Sequence, residues 1–137
     1  MKKLMIALFI VCNAHAQNIP PKSEMDNAIK NMVKQFNSQM SGLKVDEFTT
    51  VKFLTYDSSP PLLTYFYSSS ALGATNQQTL SSSQLVATNQ FNINKTCTSN
   101  FKIFMKHYSL KVAHVMEDSK TGKNFYKFTV THSDCER

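Results

Sequence analysis

Apolar residues at three- and four-residue spacing predict a helix close to the start of the chain. After Pro20-Pro21, this spacing places six apolar side chains on one face of an α-helix: Met25, Ile29, Met32, Val33, Phe36 and Met40. Ser23 stands where an N-cap belongs, and Gly42 is a natural stop. The pattern predicts a helix over residues 23–41 whose apolar face packs on the core. The helix contains three methionines, and methionine side chains adapt to many partners. The alternative is therefore that this face forms a docking groove.

Alternating apolar and polar residues further along the chain predict four strands, paired as two antiparallel hairpins. The first hairpin joins residues 46–56 to residues 62–67 through a turn at Ser58-Ser59-Pro60-Pro61. The second joins residues 110–117 to residues 125–132 through a loop at 118–123, in which Gly122 can take a positive φ.

The stretch between the two hairpins is rich in Ser, Thr, Asn and Gln, a composition typical of loops. A structureless connection over residues 68–96 would be unusual in a small domain, and Leu80, Ala87 and Phe91 fit a loose helical stripe. We therefore predict a helix over residues 78–95. A second, short helix follows Cys97, where four residues repeat at i, i+3, i+4 and i+7: Phe101, Phe104, Met105 and Tyr108.

These elements predict an α+β fold. An N-terminal helix precedes a four-stranded antiparallel sheet made of two β-hairpins, with a second helical region between the hairpins and one disulfide.

The first sixteen residues have the pattern of a signal peptide. Lys2 and Lys3 precede an apolar run, and Ala14-His15-Ala16 is a small-residue cleavage site. We predict a signal peptide over residues 1–16, a single α+β domain over residues 17–137, and a periplasmic or secreted location. Cleavage removes Cys12 and leaves Cys97 and Cys135 in a compartment that permits disulfides. A bridge between them closes about 39 residues and is worth roughly 4 kcal/mol in the chain-entropy model.

Composition and charge restrict the classes of partner. The 137 residues include 15 Lys and Arg against 9 Asp and Glu, but the bases are spread along the chain and interleaved with apolar residues. Such spacing favours solvated surfaces over a nucleic-acid stripe. No other apolar run approaches the length of a membrane span, so we expect no integral membrane segment after signal cleavage. The pattern indicates no cofactor and leaves the oligomeric state open.

Three short motifs carry a resemblance to known proteins. Leu43-Lys44-Val45-Asp46 with Thr49-Thr50-Val51 is similar to LPxxVDxxTxL, and the aromatic strand at 63–67 follows it as expected. Cys97, the segment from Ser109 to Asp118, Gly122 and Cys135 resemble the pattern C…GVSVxYxYxDxxG…C, with His114 and Met116 in place of two tyrosines. Together they resemble a group of small, mostly uncharacterised exported proteobacterial proteins. The resemblance implies export, one disulfide and an α+β layout, and it implies no catalytic residues.

The titratable residues give only a weak indication of catalysis. The histidines after the signal peptide, His107, His114 and His132, lack the spacing of metal ligands. A phosphodiesterase would use two of them as acid and base, with Lys111 or Lys127 holding the phosphate, and would need all of these groups in one cleft. The chain has no glycine-rich phosphate loop, and we predict that it is not an enzyme.

An interaction role is the remaining prediction. The candidate interface is an aromatic cluster on the first hairpin, formed by Tyr56, Tyr65, Phe66 and Tyr67; packing beneath the first helix is the alternative explanation. We predict an exported, non-enzymatic protein that binds another protein, as an envelope accessory, a toxin-neutralising partner or a secreted effector. The alternatives are a small secreted phosphodiester hydrolase and a carrier of a lipid or small ligand, which needs a sizeable cavity between sheet and helix.

Overall fold

The computed structural model describes residues 19–70 and 80–137, so the predicted signal peptide lies outside the described residues. The helices are α1 (Lys22–Gln39), α2 (Ser82–Cys97) and α3 (Phe101–Tyr108), followed by a C-terminal 3-10 helix (His132–Glu136). The strands are β1 (Leu43–Lys44), β2 (Thr49–Ser58), β3 (Pro61–Ser69), β4 (Lys111–Asp118) and β5 (Asn124–Val130). The described elements confirm the α+β class.

All five strands form one sheet in the order β1-β2-β3-β4-β5. The pairs β1–β2, β2–β3 and β4–β5 are antiparallel, but β3 and β4 run parallel, with Leu62 beside Lys111 and Ser69 beside Asp118. The prediction of a four-stranded antiparallel sheet is therefore wrong. The connection that contains α2 and α3 is long enough to return the chain to the starting edge of β3, as a parallel pair requires.

The strand that was not predicted is β1, which is only two residues long and follows a turn at Gly42. Gly42 has a φ of +86°, and its N–H donates to the carbonyl of Val51 at 2.8 Å. Leu43 then pairs with Val51 at the edge of the sheet. Two residues are too few to produce an alternating pattern, which is why the sequence analysis missed this strand.

The core lies between one face of the sheet and the helices. Met25 and Ile29 of α1 are buried, and Met32, Val33 and Phe36 pack at the margin, which confirms the core-facing interpretation of this helix. The same core contains buried side chains from the strands and from α3: Leu54, Leu63, Val112, Val130, Phe104 and Met105. The N-cap prediction was wrong, because Pro21 occupies that position and Ser23 lies inside the helix.

The predicted disulfide is present in the structure. It joins Cys97, the last residue of α2, to Cys135 in the 3-10 helix, with a Cα–Cα distance of 5.4 Å. Because the 3-10 helix directly follows β5, the bond fixes the end of α2 against the end of the last strand.

Candidate functional site

A recess of about 420 Å³ lies between α2 and the sheet. Its floor comes from β3, β4 and β5, through Tyr67, Ser69, His114, Met116 and Tyr126. One wall is a face of α2, formed by Gln84, Ala87, Thr88, Phe91, Asn92 and Lys95. The other is the β1–β2 loop with the first residue of β2, through Val45, Asp46 and Thr49. A volume of this size falls within the range of sites that hold small molecules or large side chains.

The recess exists because α2 meets the sheet through polar side chains. The only buried residues of this helix are Asn92 and Thr96. The Asn92 amide donates to the hydroxyl of Tyr126 at 3.0 Å, and that hydroxyl donates to the Asn89 side-chain oxygen at 2.8 Å. Thr96 Oγ1 lies 3.3 Å from Nε2 of His114. These short side chains hold the helix in place without filling the space beside it.

His114 lies at the centre of the recess floor and is 2% exposed. Its ring stacks with those of Tyr65 and Tyr67, at centroid distances of 5.4 and 5.9 Å, and its Nδ1 lies 3.1 Å from the Tyr67 hydroxyl. Burial, together with the nearby positive charge of Lys95, lowers the pKa of His114 to about 4. Burial likewise raises the pKa of Tyr65 to about 12 and moves that of Tyr67 further upward. These three rings are therefore uncharged at neutral pH.

The rim of the recess is apolar and exposed. Phe91 of α2 is 58% exposed and Val45 of the β1–β2 loop is 41% exposed, and both line the recess. The loop is ordered, because Asp46 accepts hydrogen bonds from the backbone N–H groups of Phe48 and Thr49 at 2.8 and 2.7 Å. Apolar side chains held in solvent on both sides of a recess are typical of interaction sites.

The structure does not bring the four predicted interface residues together on one surface. Tyr56, Tyr65 and Tyr67 project toward the helices, and Tyr56 donates a hydrogen bond to Asp26 of α1. Phe66 projects from the opposite face and stacks on Phe53, with ring centroids 4.6 Å apart. Of the four, only Tyr67 lines the recess. The alternation of side chains along β3 separates Phe66 from its two neighbours.

The groups that a phosphodiesterase would need are also separated. His114 is enclosed by Tyr67 and Thr96, while His107 lies on the exposed side of α3 and His132 lies 3.3 Å from Glu136 in the 3-10 helix. Lys127 neighbours Phe128, which pairs with His114, so Lys127 projects from the face opposite His114. Within residues 19–70 and 80–137, no three His, Cys, Asp or Glu side chains are grouped so that they could hold a metal ion.

The residues that build the recess were largely missed by sequence reasoning. Asn89, Asn92 and Thr96 lie in a polar run that resembles a loop, and Tyr126 belongs to a strand whose aromatic residues suggest a core. One local signal was available. Ser81 and Gln84 form a capping box that fixes the start of α2 at Ser82, whereas the predicted start at residue 78 lies outside the described residues.

Two solved structures have a similar fold. A candidate secreted protein from Pseudomonas aeruginosa matches with a TM-score of 0.65 and 12% identity, over 86% of this chain and 99% of that one. The pilotin of the Vibrio vulnificus type 2 secretion system matches with a TM-score of 0.52 and 16% identity, over 82% of this chain and 96% of that one. No family model matches the chain, and no curated protein matches it. At these identities the likeness establishes a shared fold.

The described helices contain no candidate for a membrane span. None of those in residues 19–70 and 80–137 is long and apolar enough to cross a bilayer.

Proposed function

We infer that this is an exported protein without catalytic activity, and that it binds another protein through the recess between α2 and the sheet. The observation that carries this proposal is the exposed apolar rim of the recess, formed by Phe91 and Val45. Leaving these two apolar side chains in water has no benefit for folding, whereas covering them with a partner removes their apolar surface from solvent.

The chemistry of the recess favours an apolar segment of the partner. The rings of Tyr67 and His114 in the floor are neutral at physiological pH, and the Asp46 carboxylate is already engaged by its own loop. Lys95 is the cationic side chain on the wall of α2. A partner that inserts aliphatic or aromatic side chains, with an acidic group near Lys95, meets all of these features.

Export and an envelope role rest on further observations. Residues 1–16 have the pattern of a signal peptide, and a disulfide between Cys97 and Cys135 suits an oxidising compartment. The two proteins of similar fold are a candidate secreted protein and a secretion-system pilotin. Among the roles that the sequence left open, an envelope accessory is the one that a protein of the same fold performs, and we propose that role here.

A photo-crosslinking experiment in the native host tests this proposal. A benzophenone amino acid at Phe91 is expected to yield an adduct with one envelope protein. The same probe at Lys34, which is exposed on α1 away from the recess, is expected to yield none. N-terminal sequencing of the purified protein is expected to begin at Gln17. Equal adducts at both positions, or an intact Met1, would contradict the proposal.

The cavity also supports a second candidate, a carrier of a small apolar ligand with an acidic group. A recess of about 420 Å³ has the size that such a function needs, and Lys95 could pair with the acid. Native mass spectrometry of the protein isolated from its host distinguishes the two functions. A bound small molecule at near-stoichiometric occupancy supports the carrier, whereas the unliganded mass supports protein binding.

A further inference from the structure

The helix α2 docks on the sheet with little apolar burial. All 16 of its residues are described, and none of its apolar side chains is buried. Its two buried residues, Asn92 and Thr96, are polar, and Ile93 and Cys97 lie at the margin of the core. By contrast, α1 buries two apolar side chains and α3 buries three. Apolar burial therefore stabilises the docking of α2 less than that of the other two helices.

The composition of α2 does not make it a stable helix on its own. Nine of its 16 residues are Ser, Thr, Asn, Val or Ile, which form helices less readily than Ala or Leu. The capping box of Ser81 and Gln84 stabilises the first turn. Isolated helices of this length are marginal in water even when they are rich in alanine. We therefore expect α2 to unfold when it leaves the sheet.

Three hydrogen bonds join α2 to the sheet. Asn89 and Asn92 contact the hydroxyl of Tyr126, and Thr96 contacts His114. One such bond changes a folding equilibrium by a factor of about 2–10, because water competes for the same groups. These contacts orient α2, but they offset only part of the conformational entropy that is lost when the helix is ordered.

The covalent bond between Cys97 and Cys135 is the remaining tie. It joins the last residue of α2 to the 3-10 helix, which contains no buried residue and directly follows β5. None of the 12 buried residues of the core cluster belongs to either of these two helices. Breaking the bond therefore leaves the buried contacts among α1, α3 and the sheet in place.

We propose that reduction of the Cys97–Cys135 bond undocks and unfolds α2, while α1, α3 and the sheet stay folded. The reductant is a dithiol, which loses two electrons and two protons and becomes a disulfide. Cys97 and Cys135 each take up one electron and one proton and become thiols. Residues 98–100, which connect α2 to α3, are the hinge.

This change removes one wall of the recess. The wall of α2 carries Phe91 and Lys95, whereas Val45 lies on the opposite wall, which stays in place. The recess is therefore complete only in the oxidised protein. The consequence for partner binding rests on the proposed function, but the undocking of α2 does not.

Hydrogen exchange measured by mass spectrometry on the natively processed protein, with and without dithiothreitol, tests the undocking. In the oxidised protein, amides of residues 88–97 are expected to be protected more than about 100-fold, and after reduction less than about tenfold. Amides of α1 and β3 are expected to stay protected more than about 100-fold in both states. The variant Cys97→Ser/Cys135→Ser is expected to match the reduced wild type and to be insensitive to dithiothreitol.

Three results would overturn the undocking. They are protection of residues 88–97 that survives reduction, protection of these residues that is already absent in the oxidised protein, and loss of protection in α1 and β3 together with α2. The last of these would mean that the bond holds the whole fold together.

The effect on binding has a separate test in the native host. A photo-crosslinker at Val45 is expected to lose its adduct about tenfold in the variant Cys97→Ser/Cys135→Ser, because few molecules have a complete recess. An undiminished adduct beside an undocked α2 would overturn redox control of the site. If the oxidised wild type gives no specific adduct, the proposed function fails, and hydrogen exchange still decides whether α2 undocks.

Discussion

Buried His114 should make the stability of this fold depend on pH in a defined window. Burial and the charge of Lys95 lower its pKa from 6.5 to about 4. The unfolded chain therefore binds the proton more tightly than the folded one. The resulting stabilisation is complete above pH 6.5 and is lost as the pH falls toward 4. At 1.36 kcal/mol per pKa unit, the full effect is about 3 kcal/mol, most of which is lost by pH 4.5.

Urea unfolding at several pH values between 7.5 and 4.5 measures this contribution. His114→Gln replaces the imidazole with an amide that does not titrate in this range. Its free energy of unfolding is expected to fall about 2–3 kcal/mol less than that of the wild type, because the acidic groups affect both proteins equally. His107→Gln, on the exposed side of α3, serves as the control and is expected to follow the wild type. Parallel profiles for the wild type and His114→Gln would refute the account of a buried, neutral histidine.

Three further substitutions test the structure elsewhere. Replacing Cys97 and Cys135 with serine is expected to lower the free energy of unfolding by about 4 kcal/mol, measured in urea against the oxidised wild type. Tyr126→Phe leaves the Asn92 amide without its buried acceptor and is expected to lower the free energy of unfolding by about 1–3 kcal/mol in the same assay. An unchanged free energy of unfolding would contradict this contact between α2 and the sheet. Ser109→Gly is expected to raise stability by roughly 0.5–1 kcal/mol in thermal unfolding, because Ser109 has a φ of +55°; a lower midpoint would contradict this.

The sequence predicted the elements whose signals are local. The stripe of α1 and the short repeat of α3 are visible because their apolar side chains face the core, and the observed α3 spans the predicted repeat from Phe101 to Tyr108. Both hairpins were found for a similar reason. Alternating residues and a short turn define an antiparallel pair without any information from distant parts of the chain.

The parallel pairing of β3 and β4 could not be read from the sequence. Each of these strands has one partner next to it in the sequence, and the identity of the second partner depends on where a connection of about forty residues returns. The aromatic alternation at 63–67 fits either direction equally well. This pairing also explains why the predicted interface residues do not form one exposed surface. It makes β3 a central strand that buries Tyr67 on one face and places Phe66 on the other.

The sequence patterns did not predict the recess, because one of its walls is a polar helix. Sequence patterns detect helices through apolar faces, whereas α2 contacts the sheet through Asn89, Asn92 and Thr96. Three of its large apolar residues, Leu85, Val86 and Phe91, are exposed, and Ile93 is the one that packs on the core, so the apolar stripe was weak.

The central claim, that a partner protein occupies the recess, is tested most directly by filling it. Ala87 lines the recess, whereas the adjacent Val86 does not and is 68% exposed, so tryptophan at these two positions forms a matched pair. The measurement is the yield of the envelope adduct from a photo-crosslinker at Val45, which lines the recess, in each background. The account predicts at least a tenfold loss with Ala87→Trp and a normal yield with Val86→Trp. Equal yields in the two variants would contradict it.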